Sequence, residues 1–385
     1  MAVLLASAAW AWLIGWLILR AVRQMQAHRA VPIGGSASAE AGVAIIVPAR
    51  NEARNIGHCL SGLSAQHGLA AASSIIVVDD GSRDGTADRV RAAAQNDPRI
   101  GLIEAGALPP GWMGKPHACW RGAIEAMAEW LCFIDADVRA EPELMAAAIA
   151  SAERDGTDML SLTPFQELGS FWERLIIPAG LVLVACVKDL RLIDDPTSPE
   201  ISANGQFLLI RRAVYAAVGG HRAVRDEVCE DKALAARVKR AGYRFRMLGA
   251  EHLARTRMYR DFGSLWEGLS KNVVEIMGDG WSTVAVATAG LVLAWTSVLL
   301  PTVAVFALSQ QPAAAIGCAL ALLGSVAIVG VHIGTARYFR IPVAYGMLFP
   351  LAYAVVAVLA WHSAALRRAG RVSWKGRTYE LDRKT

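Results

Sequence analysis

The chain has 385 residues, of which 54% are hydrophobic and 19% are charged, and its formal net charge is +5. A mean hydropathy of +0.35 is too high for an ordinary soluble protein. The net charge is modest and no nucleic-acid-binding motif is found, so a nucleic-acid partner is not expected. The apolar residues are concentrated near the two ends, whereas residues 30–280 have the composition of one soluble α/β domain.

The first apolar block covers residues 3–19 and contains no charge. No basic residue precedes it, and Arg20, Arg23 and Arg29 follow it. The positive-inside rule therefore places the N-terminus outside the membrane and the next domain in the cytoplasm. We predict that residues 1–29 form a transmembrane anchor, with a cleaved secretory leader as the alternative.

The six cysteines lie apart, without C-x-x-C spacing, at Cys59, Cys119, Cys132, Cys186, Cys229 and Cys318. This spacing argues against a disulfide framework or a zinc site. It is compatible with a reducing compartment.

After a predicted flexible linker at residues 31–42, short β-branched runs alternate with helical patterns. Strands are expected within "VAIIVPARNEARNI", "SSIIVVDDGSRDGT", "RIGLIEA" and "LCFIDAD", and a helix within "GKPHACWRGAIEAMAEW". Alternating strands and helices predict an α/β fold with a mainly parallel, Rossmann-like sheet. In such sheets, ligands bind beyond the carboxyl ends of the strands.

Polar residues follow three of these strands. They are "PARNE" at residues 48–52, the pair Asp79 and Asp80, and the pair Asp135 and Asp137. If the backbone stays extended after the last strand, Asp135 and Asp137 point the same way and can hold one cation, such as Mg²⁺ with phosphate oxygens. The alternative is that these residues only form turns.

Two further candidates lie at helix starts. Lys115 precedes a helix that is expected to begin at Pro116, where it can contact a diphosphate; the alternative is a solvated lysine. Glu230 and Asp231 open the helix "EDKALAARVKRAG", and one of them can act as a general base. The alternative is that both acids only complement the helix dipole.

Residues 171–187 contain about a dozen consecutive apolar residues, which is short for a membrane span, and Pro178 interrupts them. We predict an interfacial helix there, with a buried core helix as the alternative. Residues 281–366 contain three blocks long enough to span a membrane, and residues 367–385 form a basic tail. Three crossings would place this tail outside, against the positive-inside rule, so the last block, with Pro350 near its middle, is expected to be a re-entrant hairpin. "WKGRTY" could then close over a donor diphosphate.

Four segments resemble the inverting glycosyltransferases of family 2, which have a GT-A fold. They are "IIVPARNEARNI", "VVDDGSRDGT", "FIDADV" and "EDKALAARVKRAG", in that order and at that family's usual spacing. "LPPGWMGKPHACW", "TRMYRDFGSLWEGLSKN" and "VSWKGRTY" look like the hopene-associated glycosyltransferases and their carotenoid and ceramide relatives. The resemblance covers about residues 43–245.

The resemblance implies a role for each matching residue. The uridine of a UDP-sugar donor would be held by Pro48, Ala49, Arg50, Asn51, Glu52, Asp79 and Asp80. Asp135 and Asp137 would hold a divalent metal, Mg²⁺ or Mn²⁺, and Asp231, next to Glu230, would be the catalytic base. The Q-x-x-R-W motif of processive members is absent, and Trp266, Lys271 and Asn272 are candidates to replace its phosphate or acceptor contacts.

Together these features predict an enzyme of a bacterial cytoplasmic membrane, with a cytoplasmic catalytic domain. It would transfer a sugar from a nucleotide-sugar to a lipid acceptor in the bilayer, with a hopanoid as the candidate. Two alternatives are a processive polysaccharide synthase and a non-enzymatic transporter or scaffold with a nucleotide-binding domain.

Overall fold

The computed structural model describes residues 1–33, 42–310 and 314–380. Most of the predicted linker and the last five residues of the predicted tail, 381–385, lie outside the described residues. The α-helices are α1 Ala2–Ala27, α2 Ile56–Ser64, α3 Thr86–Ala94, α4 Gly114–Glu125, α5 Leu144–Arg154, α6 Phe171–Val187, α7 Arg212–Ala217, α8 Glu230–Arg240, α9 Phe262–Met277, α10 Gly280–Gln310, α11 Ala315–Tyr338, α12 Ala344–Met347 and α13 Phe349–Arg368.

The strands are β1 Val43–Ala49, β2 Ser74–Asp79, β3 Ile100–Glu104, β4 Trp130–Ile134, β5 Val138–Ala140, β6 Met159–Thr163, β7 Phe165–Gln166, β8 Phe207–Arg211, β9 Phe245–Gly249, β10 Ala254–Thr256, β11 Arg371–Trp374 and β12 Arg377–Glu380. Short 3₁₀ helices cover Leu190–Leu192 and Gly220–Val224.

The central sheet has seven strands in the order β3-β2-β1-β4-β8-β6-β9. Neighbouring strands of this sheet pair in parallel, except that β8 is antiparallel to both β4 and β6. The mainly parallel α/β sheet expected from the sequence is therefore confirmed. The strand order reverses between β1 and β4, and such a switch point opens a crevice at the carboxyl ends of the strands.

The sheet is covered by helices on both faces, which explains its continuous apolar strands. On one face, α2, α3 and α5 pack against alternate strand residues such as Ile45, Val77 and Cys132. On the other face, α4 and α8 pack against Ala44, Val78 and neighbouring strand residues. Successive side chains of a strand point to opposite faces, so each strand contributes to both cores and its end is held rigidly.

Among the described residues, four helices are long and apolar enough to span a membrane: Ala2–Gln26, Gly280–Leu308, Ala315–Tyr338 and Phe349–Arg368. The last of these does not lead away from the catalytic domain. Phe349, at its start, packs in one cluster with Leu175 of α6 and Leu265 of α9. At its other end, Arg367 Nη1 lies 2.9 Å from Glu275 Oε1 of α9. Both ends of α13 therefore contact the same layer, made of α6 and α9.

The expected hairpin in the last apolar block is wrong, because α13 is one continuous helix. Pro350 lies in its first turn rather than in the middle of a span. A proline is tolerated there because a first-turn N–H has no partner within the helix.

Helix α6 is fixed at its start by a capping box, in which Ser170 Oγ accepts from the N–H of Glu173 and the Glu173 carboxylate accepts from the N–H of Ser170. Glu173 is fully buried and its Oε2 lies 2.9 Å from Arg257 Nη2. Burial disfavours its charge, but the hydrogen bonds from Arg257 and Ser170 outweigh that effect and lower the pKa of Glu173. The pair joins α6 to the segment before α9.

Glu173→Gln should destabilise the protein because it removes the charge that faces Arg257. We expect a loss of about 2 kcal/mol, or roughly 5 °C in Tm, in thermal unfolding followed by tryptophan fluorescence in detergent. Glu129→Gln is the matched control, since Glu129 is 56% exposed in its pair with Arg211 and should change Tm little. Equal shifts in the two variants would contradict a structural role for Glu173.

Candidate active site

The candidate site lies at the switch point of the sheet, where the loops after β1, β2 and β4 meet the starts of α4 and α8. Ala49 pairs with Asp79 at the ends of β1 and β2. The N–H of Asp80 donates to Ala49 O at 2.8 Å. Pro48 pairs with Val78 inside the sheet, so its ring is part of the strand and not of the loop.

The loops after β1 and β2 hold each other through hydrogen bonds. The N–H of Asn51 donates to Ser82 Oγ at 2.9 Å, and the N–H of Glu52 donates to Thr86 Oγ1 at 2.8 Å. The carboxylate of Asp79 accepts from the N–H of Ser82 at 3.2 Å. These hydrogen bonds satisfy the polar groups of the turns within the two loops. They also fix the positions of Glu52 and Asp80 at the cleft.

Asp135 and Asp137 follow β4, but the backbone does not stay extended there. The N–H of Val138 donates to Asp135 O at 3.1 Å and closes a turn. The argument from extended geometry is therefore wrong, although the two carboxylates remain near each other. Burial, followed by the charges of Asp135 and Glu52, raises the pKa of Asp137 to about 7.

Lys115 joins the two acidic groups of the cleft. It lies in the first turn of α4, which begins at Gly114 rather than at Pro116. Its Nζ is 2.8 Å from Asp135 Oδ1 and 3.0 Å from Glu230 Oε1. Burial disfavours the ammonium charge, but these two carboxylates outweigh it and raise the pKa of Lys115 well above its usual value.

Asp231 lies beside this lysine at the start of α8. Its Oδ2 accepts from the N–H of Gly205 at 2.7 Å, and its Oδ1 accepts from the N–H of Lys232 at 2.8 Å. Burial and the neighbouring charge of Glu230 raise the pKa of Asp231 to about 6. The pKa of Glu230 is lowered instead, because Lys115 and Lys271 outweigh the effect of its burial. The two adjacent acids thus differ in proton affinity.

Gly205 is a residue that the sequence analysis missed. A Cβ at this position would lie 3.0 Å from both Asp231 Oδ2 and Lys115 Nζ. A side chain there would crowd the acid–lysine cluster and require Asp231 and Lys115 to shift, so glycine favours this close approach of the backbone to Asp231. The short segment before β8 carries no sequence motif from which this contact could be deduced.

The three candidates on α9 are separated by the structure. Lys271 faces the acids, and burial lowers its pKa while Glu230 and Asp231 oppose that change. The Trp266 ring instead packs 5.5 Å from Phe262 and 5.6 Å from His362 of α13. Asn272 Oδ1 is buried without a hydrogen-bond partner among the described residues.

The C-terminal hairpin β11–β12 also reaches the cleft. Lys375 Nζ pairs with Glu52 Oε1, and Arg377 Nη1 pairs with Asp80 Oδ2. From the sequence, "WKGRTY" was expected near the donor only if the last apolar block does not cross the membrane. The sequence could not name these partners, because they lie about three hundred positions earlier in the chain.

The donor set suits a hard divalent cation. Asp137 Oδ1 is buried and has no hydrogen-bond partner among the described residues, so it can accept a ligand. Asp135 already binds a cation, the ammonium of Lys115. In the described part of the chain, no cluster of three or more His, Cys, Asp or Glu has metal-ligand geometry. A pair of carboxylates that leaves the remaining positions to phosphate and water suits Mg²⁺ or Mn²⁺.

Comparisons with known proteins identify relatives of this chain. Residues 44–198 match the family model described as glycosyl transferase family 2. The chain is 25% identical over 346 residues to the 4,4'-diaponeurosporenoate glycosyltransferase of Staphylococcus aureus strain USA300, covering 88% of each chain. The enzyme of strain MRSA252 is similar to the same extent.

The fold is similar to that of a solved mannosyltransferase from Pyrobaculum calidifontis, in complex with GDP-Man and Mn²⁺. The TM-score is 0.51 at 17% identity, covering 96% of this chain and 98% of that one. This likeness supports the fold, including the GT-A arrangement expected from the motifs. The family match and the sequence relatives support an enzyme rather than the alternative of a non-enzymatic transporter or scaffold. The chain is therefore a glycosyltransferase of GT-A fold, with a family 2 domain at residues 44–198, and is related to carotenoid glycosyltransferases.

Proposed function

We propose that this protein is a membrane-bound, metal-dependent, inverting glycosyltransferase that moves a sugar from a nucleotide-sugar to a lipid hydroxyl. The observation that carries this proposal is the Lys115 ammonium, which lies between Asp135 and Glu230 and is close to Asp231. It brings the proposed donor acids and the proposed base into one cleft. The helices α6, α9 and α13 place that cleft beside apolar helices.

The donor would enter from the loops after β1 and β2. We assign the nucleoside to the segment from Pro48 to Glu52 together with Asp79 and Asp80, and the diphosphate to the start of α4 with Lys115. Asp135 and Asp137 would hold the divalent metal, which supplies positive charge to the departing diphosphate. The donor is proposed to be a UDP-sugar, and GDP-sugars should be tested in parallel.

Asp231 is the residue that we assign as general base. A carboxylate with a pKa near 6 is ionised at neutral pH and is more basic than an ordinary aspartate. The acceptor hydroxyl would attack the anomeric carbon from the face opposite the nucleotide, which inverts the stereochemistry, and would transfer its proton to Asp231. As the new glycosidic bond forms, the bond from the anomeric carbon to the diphosphate oxygen breaks and the nucleoside diphosphate leaves. The N–H groups of Gly205 and Lys232 hold the carboxylate in place. Lys115 and Lys271 would neutralise charge on the leaving side.

The acceptor is proposed to be a lipid that remains in the bilayer. Exposed apolar side chains on α1, α10 and α11, such as Trp12, Phe306 and Val326, suit lipid surroundings. The carotenoid acceptor in the relative's name and the sequence resemblance both favour a polycyclic or isoprenoid lipid, with a hopanoid as the first candidate. We place the protein in a bacterial cytoplasmic membrane, with α13 lying along the interface and the catalytic domain in the cytoplasm.

Removing the base should stop turnover without unfolding the protein. Asp231→Asn keeps the shape of the side chain but cannot accept the proton, so we expect kcat to fall about 10²–10⁴-fold. The measurement is release of UDP or GDP from the nucleotide-sugar in the presence of Mg²⁺ and bacterial lipid extract. Asp88→Asn on α3, where Asp88 is 81% exposed, is the control and should keep full activity. Wild-type rates for Asp231→Asn would refute the assignment.

The pH dependence follows from the raised pKa of Asp231. A base is inactive when protonated, so kcat should fall about tenfold per pH unit below about 6 and reach a plateau above it. Glu230, Lys115 and Lys271 surround this group; the pKa of Lys115 is raised by the nearby carboxylates, whereas burial lowers the pKa of Lys271. The test is kcat at saturating donor and acceptor between pH 4.5 and 8, with circular dichroism to exclude unfolding. A flat profile would contradict a base with this pKa.

Metal dependence can be separated from catalysis by measuring nucleotide binding. We expect UDP to bind in the presence of Mn²⁺ and to lose at least about tenfold in affinity in excess EDTA. Asp137→Asn should bind UDP equally with or without Mn²⁺, whereas Asp88→Asn should behave as the wild type. Metal-independent binding and full activity of the wild type in EDTA would remove the role given to Asp135 and Asp137.

A further inference from the structure

The last described residues fold back onto the catalytic domain as a two-stranded hairpin. β11 and β12 pair in antiparallel register from Arg371 opposite Glu380 to Trp374 opposite Arg377. The two residues between them, Lys375 and Gly376, have φ values of 47° and 75°. Positive φ at both central positions is typical of a type I′ turn, which gives a hairpin a defined tip. The tip therefore presents Lys375 in a fixed direction.

The tip is bound to the loop after β1 through both the side chain and the carbonyl oxygen of Lys375. Lys375 Nζ donates to Arg50 O at 3.0 Å and pairs with Glu52 Oε1. In return, Arg50 Nε donates to Lys375 O at 3.3 Å. Both Arg50 and Glu52 belong to the segment that we assign to the donor nucleoside. The hairpin therefore contacts the proposed donor loop and not a remote surface.

The second strand of the hairpin reaches the loop after β2 and the start of α4. Arg377 Nη1 pairs with Asp80 Oδ2, and Asp80 is 4% exposed. A Cβ on Gly114 would lie 2.6 Å from Asp80 Oδ2, 2.8 Å from Arg377 Nη1 and 3.2 Å from the Tyr379 hydroxyl. The residue before Lys115 must therefore be small for the hairpin to approach. Arg377 thus lies at the helix start where we place the diphosphate.

The base of the hairpin is held by apolar contacts. Val372 is buried against Met113 and Val228, with Tyr379 beside them. The Trp374 ring lies 4.8 Å from Lys271 Nζ, a cation–π contact with α9. The hairpin also follows α13 directly in the chain. These contacts hold it over the cleft and leave the two cations at its tip and on β12 as the groups that face the donor site.

Charge at the cleft indicates what these cations bind. Glu52, Asp80, Asp135, Asp137, Glu230 and Asp231 place many carboxylates around a site that we propose for a diphosphate anion. The side chains of Lys375 and Arg377 are 28% and 24% exposed, so they remain accessible to a ligand in the cleft. Phosphate oxygens are strong acceptors for such groups.

We propose that the C-terminal hairpin completes the donor site and that Lys375 and Arg377 are donor-binding residues. They pair with Glu52 and Asp80 in the structure and contact the phosphates of a nucleoside diphosphate when it binds. This inference rests on the proposed function, because it concerns the same donor. It adds a part of the chain beyond the family 2 match at residues 44–198. It also connects donor binding to α13 and the membrane.

The test is calorimetric binding of UDP and of GDP, each with MgCl₂, to the full chain in detergent. For the nucleotide that the wild type binds, we expect Lys375→Ala and Arg377→Ala each to weaken binding about tenfold or more. Arg371→Ala is the matched control, because Arg371 is exposed on the same hairpin and carries the same charge. It should bind as the wild type. Arg377→Lys should recover part of the loss, since it restores the positive charge.

The substitutions would also weaken nucleotide binding if they detached the hairpin from the catalytic domain. A second measurement therefore follows the hairpin in the unchanged protein. Trypsin can cut after Lys375 and Arg377, and bound nucleotide should slow these cuts in the wild type, as followed by mass spectrometry. Equal affinities in Arg371→Ala, Lys375→Ala and Arg377→Ala, or faster cutting with nucleotide, would overturn the hairpin inference alone. A wild type that binds neither UDP nor GDP would overturn the proposed function and the inference with it.

Discussion

The cleft depends on one physical constraint, which is that many carboxylates gathered at one sheet edge need positive charge between them. Lys115 supplies part of it, because its ammonium lies 2.8 Å from Asp135 and 3.0 Å from Glu230. Unpaired buried charges are strongly destabilising, so this lysine allows the acids to be held near each other without a ligand. A metal and a diphosphate bring both signs of charge into the same space. The charged groups of the cluster can therefore exchange their ion pairs with each other for contacts with the metal and the diphosphate of the donor.

The surroundings of the cleft explain how one chain could bind both a water-soluble donor and a lipid acceptor, as we propose. The sheet holds the loops of the proposed donor site, whereas α6, α9 and α13 form an apolar layer that also packs against the candidate spans α10 and α11. Lys271 of α9 faces the acids, and Trp266 of the same helix packs toward α13. One helix therefore contacts both the proposed chemistry and the membrane side. The hairpin after α13 contacts the loops after β1 and β2, so it connects α13 to the proposed donor site.

The alternation of short apolar runs with helical patterns was enough to predict the sheet, because parallel strands buried on both faces require such runs. The acids at strand ends were also visible in the sequence, since their spacing fixes which loops they occupy. The turn at Asp135 was not visible, because turns after a strand depend on the pairing of β5 and on the contact with Gln206. Gly205 and the partners of Lys375 and Arg377 were hidden for a related reason. They meet the site through tertiary packing over long sequence separations, which no local pattern encodes. Pro350 misled the prediction because a proline near the middle of an apolar block can equally well begin a helix.

The central claim is that Asp135 and Asp137 hold the metal on a donor diphosphate in the cleft that contains Lys115. The most direct measurement is a structure of the full chain with UDP and Mn²⁺, with manganese located by its anomalous scattering. The account predicts manganese bound to Asp135 and Asp137, with the diphosphate between the metal and the start of α4. Manganese and nucleotide bound elsewhere, with Lys115 still pairing Asp135 and Glu230 in an empty cleft, would contradict it.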